Sequence, residues 1–455
     1  MKNQTISDLP RLICHNDKLT LIIPSANLEP IDFHKLCEKY DKDFQPNVLK
    51  KIGKRYIICK SLEISNENTE SSVEKSSKKC EINARLVFKY IAFGEVDSKE
   101  SLRIDFQHCE FNERVYFTNC EFNGNVFFNH AVFHKYADFH ESFFNAIVSF
   151  YNATFNSAPN FSTCVFSSLQ ATNFINVKME DLDFCKILYF VGERINDKTY
   201  KKELKSLQAK YPKESKEYKE EKQKLTQKHR IRYASNARDS FRTIKNVLIE
   251  NRNLLDASSW HKLELYAKEK EIDLKNPKTF SKDWCDKIQL CFYRHTSAHH
   301  TDLLESIKSL FIVIGIFGVL SCVVIVRFAL YCGFWDWNPN TLIKCYNEYI
   351  ECFLAEHYCI ALGINIVLFV AFMGIFILTI ICQKIRNITF WLSCAVALFI
   401  LVSSPKYLIP AIEIFTDKKM LLDPLSVMGG VYSILFGFML YSFIKTARKN
   451  SIISS

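Results

Sequence analysis

The sequence predicts a multidomain chain made of a β-solenoid, a cytoplasmic α-helical region and a four-helix transmembrane domain. Three observations support this prediction. Phenylalanine recurs at alternating spacings of five and six residues between positions 106 and 166. A lysine-rich stretch with helical periodicity follows, and four long apolar runs lie in the last third of the 455 residues. The predicted boundaries are 1–82, 83–190, 191–305 and 306–455.

The solenoid prediction rests on phenylalanines in unbroken register. A small or apolar residue usually stands two positions before each one, as Cys109 does before Phe111. Spacings of five and six cannot hold one face of a helix, whose period is 3.6. Stacked coils satisfy them, because each step then buries one large and one small side chain and exposes polar ones. Four steps make 22 residues, from 5 + 6 + 5 + 6. The predicted ladder consists of Phe106, Phe111, Phe117, Phe122, Phe128, Phe133, Phe139, Phe144, Phe150, Phe155, Phe161 and Phe166.

Several of these steps resemble the repeat A-[D/N]-[L/F]-x-x of pentapeptide-repeat proteins. They read IDFQH, CEFNE, CEFNG, ADFHE, ATFNS, TNFIN and LDFCK. The resemblance implies a right-handed quadrilateral β-helix of the membrane-anchored type over 83–190. The extra residue in every second step departs from the strict five-residue period. The motif indicates a fold rather than an activity, because one fold serves many functions.

Some members of that family mimic DNA, which requires a strongly acidic solenoid. Residues 101–190 hold nine acidic and five basic residues, a net charge of only −4. A nucleic-acid-related role is therefore not predicted for the solenoid.

The N-terminal 82 residues mix short β-type runs with a helix predicted near FHKLCEKY. A polar stretch over 65–80 is typical of a linker. We therefore expect a small α/β region followed by a linker.

The region 191–305 is predicted to be helical and cytoplasmic. Residues 194–230 hold 13 Lys and Arg against six acidic residues, and 214–233 suit an exposed helix. Two amphipathic helices, joined at NRNLLDAS, form a predicted hairpin. We interpret the basic stretch as a solvated helix, with the anionic membrane surface and nucleic acid as the alternatives.

The apolar runs 309–331, 358–382, 388–404 and 425–444 predict four transmembrane helices, since about 20 apolar residues span a bilayer. Basic residues flank the runs at 383–387 and in the C-terminal tail, whereas 333–357 is acidic. Positive flanks stay in the cytoplasm. We therefore expect a multi-pass protein of a bacterial inner membrane with cytoplasmic N- and C-termini.

No catalytic or nucleotide-binding motif occurs, so the sequence predicts no enzyme, no cofactor and no metal site. His295, His299 and His300 have a helical spacing that leaves a metal as the weaker alternative. Cys332, Cys345 and Cys352 surround one loop. An apolar helical stripe is the plainer interpretation of these cysteines, and a disulfide is the alternative if the loop is extracytoplasmic.

The functional prediction is a membrane protein whose cytoplasmic solenoid is a platform for protein interaction or sensing. The expected partners are the lipid bilayer, a cytoplasmic protein and further copies of the chain. The alternative is an ion channel or pore-forming effector gated by the cytoplasmic domain. In that case Asn365 and Ser433 are the candidate pore-lining residues, because they are uncharged polar groups at mid-membrane depth.

Overall fold

The computed structural model describes residues 9–15, 18–24, 27–66, 80–95, 102–179, 198–335, 338–403 and 422–452. The chain divides into two compact units, Met1–Lys287 and Ile288–Ser455. We expected the last boundary at 305/306. It lies earlier because Phe292 packs against the hydrophobic cluster of the second unit, which contains Ile312 and Phe376.

Four sheets build most of the first unit. The first contains β1 (Arg11–His15), β2 (Lys18–Ile23), β6 (Ser61–Asn66), β10 (Arg103–Asp105), β14 (Asn125–Phe127), β18 (Val148–Ser149) and β21 (Thr172–Asn173). The second contains β7 (Cys80–Ile82), β11 (Cys109–Phe111), β15 (Val132–Phe133), β19 (Thr154–Phe155) and β22 (Lys178–Met179). The third contains β3 (Ile31–Asp32), β8 (Leu86–Lys89), β12 (Val115–Thr118) and β16 (Ala137–Asp138). The fourth contains β4 (Leu49–Ile52), β5 (Arg55–Ile58), β9 (Ile91–Phe93), β13 (Glu121–Phe122), β17 (Phe143–Phe144) and β20 (Val165–Phe166).

The strands pair in parallel at the separation that the repeat predicts. Phe111 pairs with Phe133, and Phe133 pairs with Phe155, each 22 residues further along the chain. Each strand therefore lies one coil away from its neighbour, which is the arrangement of a solenoid. Its right-handed quadrilateral form stays a prediction.

The N-terminal region differs from the prediction, because its strands join the solenoid sheets. β2 pairs with β6, which pairs with β10, and β7 pairs with β11, all in parallel. The boundary expected at 82/83 therefore falls within continuous sheets. The predicted linker lies largely outside the described residues, since β6 ends at Asn66 and β7 begins at Cys80.

The N-terminal end of the solenoid is covered by different structures. Within the described ranges, antiparallel pairing is confined to β1 with β2 and β4 with β5. Helix α1 (Phe33–Tyr40) occupies the segment that was predicted as helix, and the Asp32 carboxylate caps it by accepting from the Lys35 N–H. Phe33 packs its ring 4.8 Å from that of Phe88, which stacks on Phe117 of the ladder, so α1 covers the N-terminal end of the phenylalanine stacks.

The alternation of five and six residues has a backbone cause. A residue with positive φ occurs two positions after the phenylalanine that begins each five-residue step, as His130 (φ 57°) follows Phe128. The Ala131 N–H donates to the Phe128 carbonyl across this turn. Each six-residue step uses one more residue in its turn, and none of its described residues has a left-handed backbone conformation. These left-handed positions are Tyr90, His108, Asn119, His130, Glu141, Asn152, Thr163 and Asn176.

Helices complete the first unit. They are α2 (Lys198–Lys210), α3 (Lys216–Glu250), α4 (Leu254–Lys275) and the start of α5 (Lys282–Ser297). The exposed helix predicted at 214–233 continues without a break into the first helix of the predicted hairpin. Phe241 and Trp260, from the two arms α3 and α4, enter the same hydrophobic core as the solenoid phenylalanines.

The second unit is a helical bundle. After the end of α5 it contains α6 (Leu303–Tyr331), α7 (Pro339–Glu356), α8 (Tyr358–Ile381), α9 (Gln383–Ser403) and α10 (Pro424–Ile452). Three helices of the described part are long and apolar enough to cross a membrane: α6, α8 and α10 over Pro424–Arg448. The predicted third run corresponds to α9, and a fourth crossing stays a prediction.

Close packing of α6 against α9 depends on two glycines. A Cβ added at Gly315 would clash with Ser393, and one added at Gly318 would lie 2.6 Å from the Val396 Cγ1. Small residues permit such backbone approaches between membrane helices.

Candidate functional site

The predicted phenylalanine ladder fills the interior of the solenoid in four stacks. Phe106, Phe128 and Phe150 stack at centroid distances of 4.8 Å, with interplanar angles of 8° and 6°. Rings of neighbouring stacks meet edge to face, as Phe117 and Phe128 do at 5.5 Å. Eleven of the twelve predicted residues are at most 1% exposed, and Phe166, near the C-terminal end, is half-buried. Because phenylalanine rings fill the interior, a ligand or partner can contact only the outer surface of the solenoid.

The C-terminal end of the solenoid is covered by the hairpin of α3 and α4. The Ser240 Oγ accepts from the Phe161 N–H at 2.8 Å, and the Asn251 Nδ2 donates to the Thr172 carbonyl at 2.7 Å. These bonds satisfy backbone groups that would otherwise form an open sheet edge. Because both ends are covered, the sides of the coils are the accessible surface of the repeat.

One corner of that surface is apolar. Phe143 and Val165 are adjacent in register on β17 and β20, and their exposed fractions are 43% and 44%. Ile147 and Leu169, in the corner segments after those strands, are 47% and 36% exposed. We call these four residues the apolar corner. Contiguous exposed apolar surface marks interaction sites more often than isolated apolar residues do.

The sequence analysis missed this surface, although a signal exists. The residue immediately before a ladder phenylalanine points outward, and on the sheet of β17 and β20 it is Glu121 in the preceding coil. Phe143 and Val165 follow Glu121 in register and are exposed, whereas the apolar outward residues Phe127 and Val132 on other sheets are half-buried. The signal is therefore the change from a charged to an apolar outward residue along one sheet.

Histidines on the outside of the solenoid pair with neighbouring coils or, in the case of His140, within the same coil. His108 and His130 stack with centroids 4.9 Å apart, and the His134 Nε2 lies 2.5 Å from the Glu110 Oε1. The His140 Nδ1 lies 2.8 Å from the Asp138 Oδ1, and this hydrogen bond raises the pKa of His140, while burial opposes the increase.

A second polar cluster ties together one end of the helical bundle. Arg386 on α9 is 8% exposed, and it pairs with Glu305 of α6 at 2.5 Å. It also donates to the His295 carbonyl at 2.7 Å and to the Ser309 Oγ at 3.3 Å. Buried charges persist only when they are paired and hydrogen-bonded, and this guanidinium is both.

The predicted pore-lining residues have other partners. Asn365 is 5% exposed, and its Nδ2 donates to the Leu422 carbonyl at 2.8 Å. The Ser433 Oγ donates to the Gly429 carbonyl of its own helix. Ser433 does not line the small cavity beside Asn365.

The histidines considered for a metal site and the cysteines considered for a disulfide have other roles in the structure. His295 lies 2.8 Å from the Cys291 carbonyl through Nδ1, and His300 lies 3.0 Å from the Ser442 Oγ through Nδ1. No group of three His, Cys, Asp or Glu side chains that could hold a metal occurs among the described residues. Cys332, Cys345 and Cys352 are free thiols, so the structure contains no disulfide between them.

Comparison with known proteins agrees with the geometry of the solenoid. Residues 102–142 match the family model of pentapeptide repeats (9 copies). The solenoid contains pentapeptide repeats. No curated protein and no solved structure matches the chain. The repeats and the three apolar helices together indicate a β-rich interaction module in a chain associated with a membrane.

Proposed function

We propose that this chain is a multi-pass protein of a bacterial inner membrane whose pentapeptide-repeat solenoid binds a cytoplasmic protein, without enzymatic activity. The observation that supports the proposal is the apolar corner, because Phe143 and Val165 follow Glu121 in register on one sheet and are both exposed. Both ends of the solenoid are covered, so a partner approaches from the side. The membrane helices keep the platform at the bilayer.

The test is cross-linking in living cells with a photoreactive amino acid at 143 in the full chain. We expect a discrete adduct, and Val165→Lys in the same chain should abolish it. Position 132 is the matched control, because Val132 points outward on a different sheet of the solenoid. Equal adducts from 143 and 132, or none from 143, would refute the proposal. An adduct of twice the chain mass would identify the partner as a second copy.

Cytoplasmic termini form a separate part of the proposal. Lys445 and Arg448 at the end of α10 support it, because positive flanks remain inside. Alkaline phosphatase fused within 333–357 should be active, and a C-terminal fusion should be inactive. The reverse pattern would contradict this orientation.

A channel is the second candidate. Its support is the Asn365 Oδ1, which is buried beside a small cavity and has no hydrogen-bond partner in the described part of the chain. Polar groups inside membrane helices are costly and usually functional. Purified protein in planar bilayers should then conduct ions, with Asn365→Leu and Ser433→Ala changing the current. Absence of current from correctly folded protein would exclude this function.

A further inference from the structure

A cavity of about 580 Å³ lies between α3 and the C-terminal end of α4. We call it the basic groove. Its size is within the usual range of small-molecule sites. Its lining residues are Lys219, Lys222, Gln223, Thr226, Gln227, Arg230, Asp273, Leu274 and Asn276.

The charge of the basic groove is positive and uncompensated. Lys219, Lys222 and Arg230 are exposed, and none of them forms an ion pair within the described part of the chain. The single carboxylate, Asp273, is already occupied by Lys270 at 3.1 Å and Lys287 at 2.7 Å. These two lysines hold the pKa of Asp273 below its usual value against the effect of burial. Three cations therefore remain for a ligand.

Of the amide side chains that line the basic groove, one is used in a structural hydrogen bond and two are available to a ligand. The Gln227 Nε2 donates to the Leu274 carbonyl at 2.8 Å and so joins α3 to α4. The side chains of Gln223 and Asn276 have no partner in the described ranges. Amide and ammonium donors around one concave surface suit the oxygens of a phosphate group.

The spacing along α3 indicates an elongated ligand. Lys219 and Lys222 lie one turn apart on the groove side of α3. Arg230 follows eight residues after Lys222, which is about 12 Å along a helix. A single phosphate cannot contact both ends, whereas a polyphosphate or a nucleotide with several phosphates can.

We propose that the basic groove binds an elongated anion that carries two or more phosphate groups. The phosphates come either from a soluble organic polyphosphate or from anionic lipid headgroups, and both sources offer the same chemistry. The basic groove would then be a ligand-binding site separate from the protein-binding surface of the solenoid. It does not depend on the proposed partner of the apolar corner.

The experiment measures binding to the full chain in a neutral detergent by calorimetry and by hydrogen exchange of α3. The probes are inorganic tripolyphosphate, ATP and soluble short-chain cardiolipin, whose headgroup carries two phosphates. Lys222→Gln combined with Arg230→Gln should weaken binding roughly tenfold or more, since two charge-assisted contacts are lost. The matched control is Lys224→Gln with Lys228→Gln. It removes the same charge from the opposite side of α3, where Lys224 pairs with Glu221 and Lys228 with Glu203.

Each outcome is decisive. Variant-dependent binding of tripolyphosphate or ATP supports the proposal with a soluble source, and the same pattern for cardiolipin alone supports it with a lipid source. Equal weakening by both double variants would show a general charge effect and overturn the proposal. Failure of all three probes to bind or to protect α3 would overturn it as well. Cross-linking at position 143 is an independent readout, so failure here leaves the proposed function of the solenoid standing.

Discussion

The Ser240 hydroxyl accepts a hydrogen bond from the backbone N–H of Phe161 at 2.8 Å and donates to the Asn236 carbonyl at 2.7 Å. Both Ser240 and Phe161 are completely buried. One side chain of α3 thus satisfies a backbone donor of the solenoid, and the helical hairpin is part of the folded repeat rather than a spacer after it.

Replacing Ser240 should loosen the C-terminal end of the solenoid. Ser240→Ala leaves the Phe161 N–H buried without an acceptor, which costs about 1–3 kcal/mol of unfolding free energy. Hydrogen exchange of the full chain in detergent should become faster around 155–175. Ser206→Ala is the control, because that exposed hydroxyl also bonds the carbonyl four residues before it but touches no solenoid strand. If both variants exchange like the wild type, the hairpin does not stabilise the repeat.

The ladder can be tested at its centre and at its end. Phe128 is fully buried between Phe106 and Phe150, so Phe128→Ala should lower the unfolding free energy by about 3–5 kcal/mol. Phe166 is half-buried and stacks on Phe144, and Phe166→Ala should cost less than half as much.

The readout for both phenylalanine variants is a thiol inside the solenoid. Burial raises the pKa of Cys120 to about 12, so this thiol is protonated and inaccessible in the folded state. Labelling with an alkylating reagent, followed by peptide mass spectrometry, therefore reports opening of the coils. Exposed Cys285 serves as an internal standard, since it should react at the same rate in every variant. Equal Cys120 labelling in Phe128→Ala and the wild type would contradict the ladder.

How much of this fold the sequence could predict depends on the kind of side chain that fills each coil. Between 106 and 166 every step uses phenylalanine, so the spacing alone indicated stacked coils. In the earlier coils isoleucine takes the place of phenylalanine, since Ile82 is in register with Phe111 and Ile58 with Phe93, and some strands are separated by longer stretches of sequence. The same architecture therefore continues where its sequence signature does not.

Contacts between residues far apart in the sequence could not be predicted, for a different reason. An amphipathic helix such as α3 shows that Phe241 and Ile244 need a covering surface, but its periodicity does not identify that surface. Likewise, Arg386 and Glu305 are 81 residues apart, and the sequence placed Arg386 only in a basic flank. Their pairing follows from how α6 and α9 pack.

Left-handed turn positions offer a route to a more stable protein. Glu141 has a φ of 56°, a conformation that costs most residues about 1–2 kcal/mol and asparagine less. Glu141→Asn should therefore raise the unfolding free energy by about 0.5–1 kcal/mol, measured by denaturation of the full chain followed by circular dichroism. Glu113→Asn replaces another glutamate of the coils, which is half-buried and pairs with Lys135, at a position without positive φ, and should not stabilise. A gain of the same size in both variants would show that charge, not backbone conformation, is responsible.

The pair of His140 and Asp138 should make the solenoid sensitive to pH. The hydrogen bond that His140 donates to the Asp138 carboxylate raises the pKa of His140, Glu141 adds to the increase, and burial and Arg232 oppose it. A raised pKa means that the protonated form is stabilised by folding. This contribution is complete below about pH 6.5, the unfolded value, and is lost as pH rises through the folded pKa.

Thermal unfolding of the wild type should therefore move to lower temperature between about pH 6 and pH 8. His140→Gln should flatten that dependence, and Asp138→Asn should reduce it while leaving the histidine in place. His108→Gln is the control, because that imidazole stacks on His130 and lies at a different corner of the coils. The same pH dependence in His140→Gln and the wild type would assign the effect to another group.

The ion pair of Arg386 and Glu305 should contribute to the stability of its end of the helical bundle. Arg386→Gln leaves the half-buried Glu305 carboxylate with Lys308 as its remaining cation and removes the donor to the His295 carbonyl, so it should cost about 1–3 kcal/mol. Replacing both members, as Arg386→Met with Glu305→Gln, should cost more than Arg386→Gln alone, because Lys308 then also loses its carboxylate partner. Lys308→Gln is the matched control, since Lys308 also pairs with Glu305 but is more exposed. Thermal unfolding in detergent measures all three, and a single variant as stable as Lys308→Gln would show that the pair contributes little.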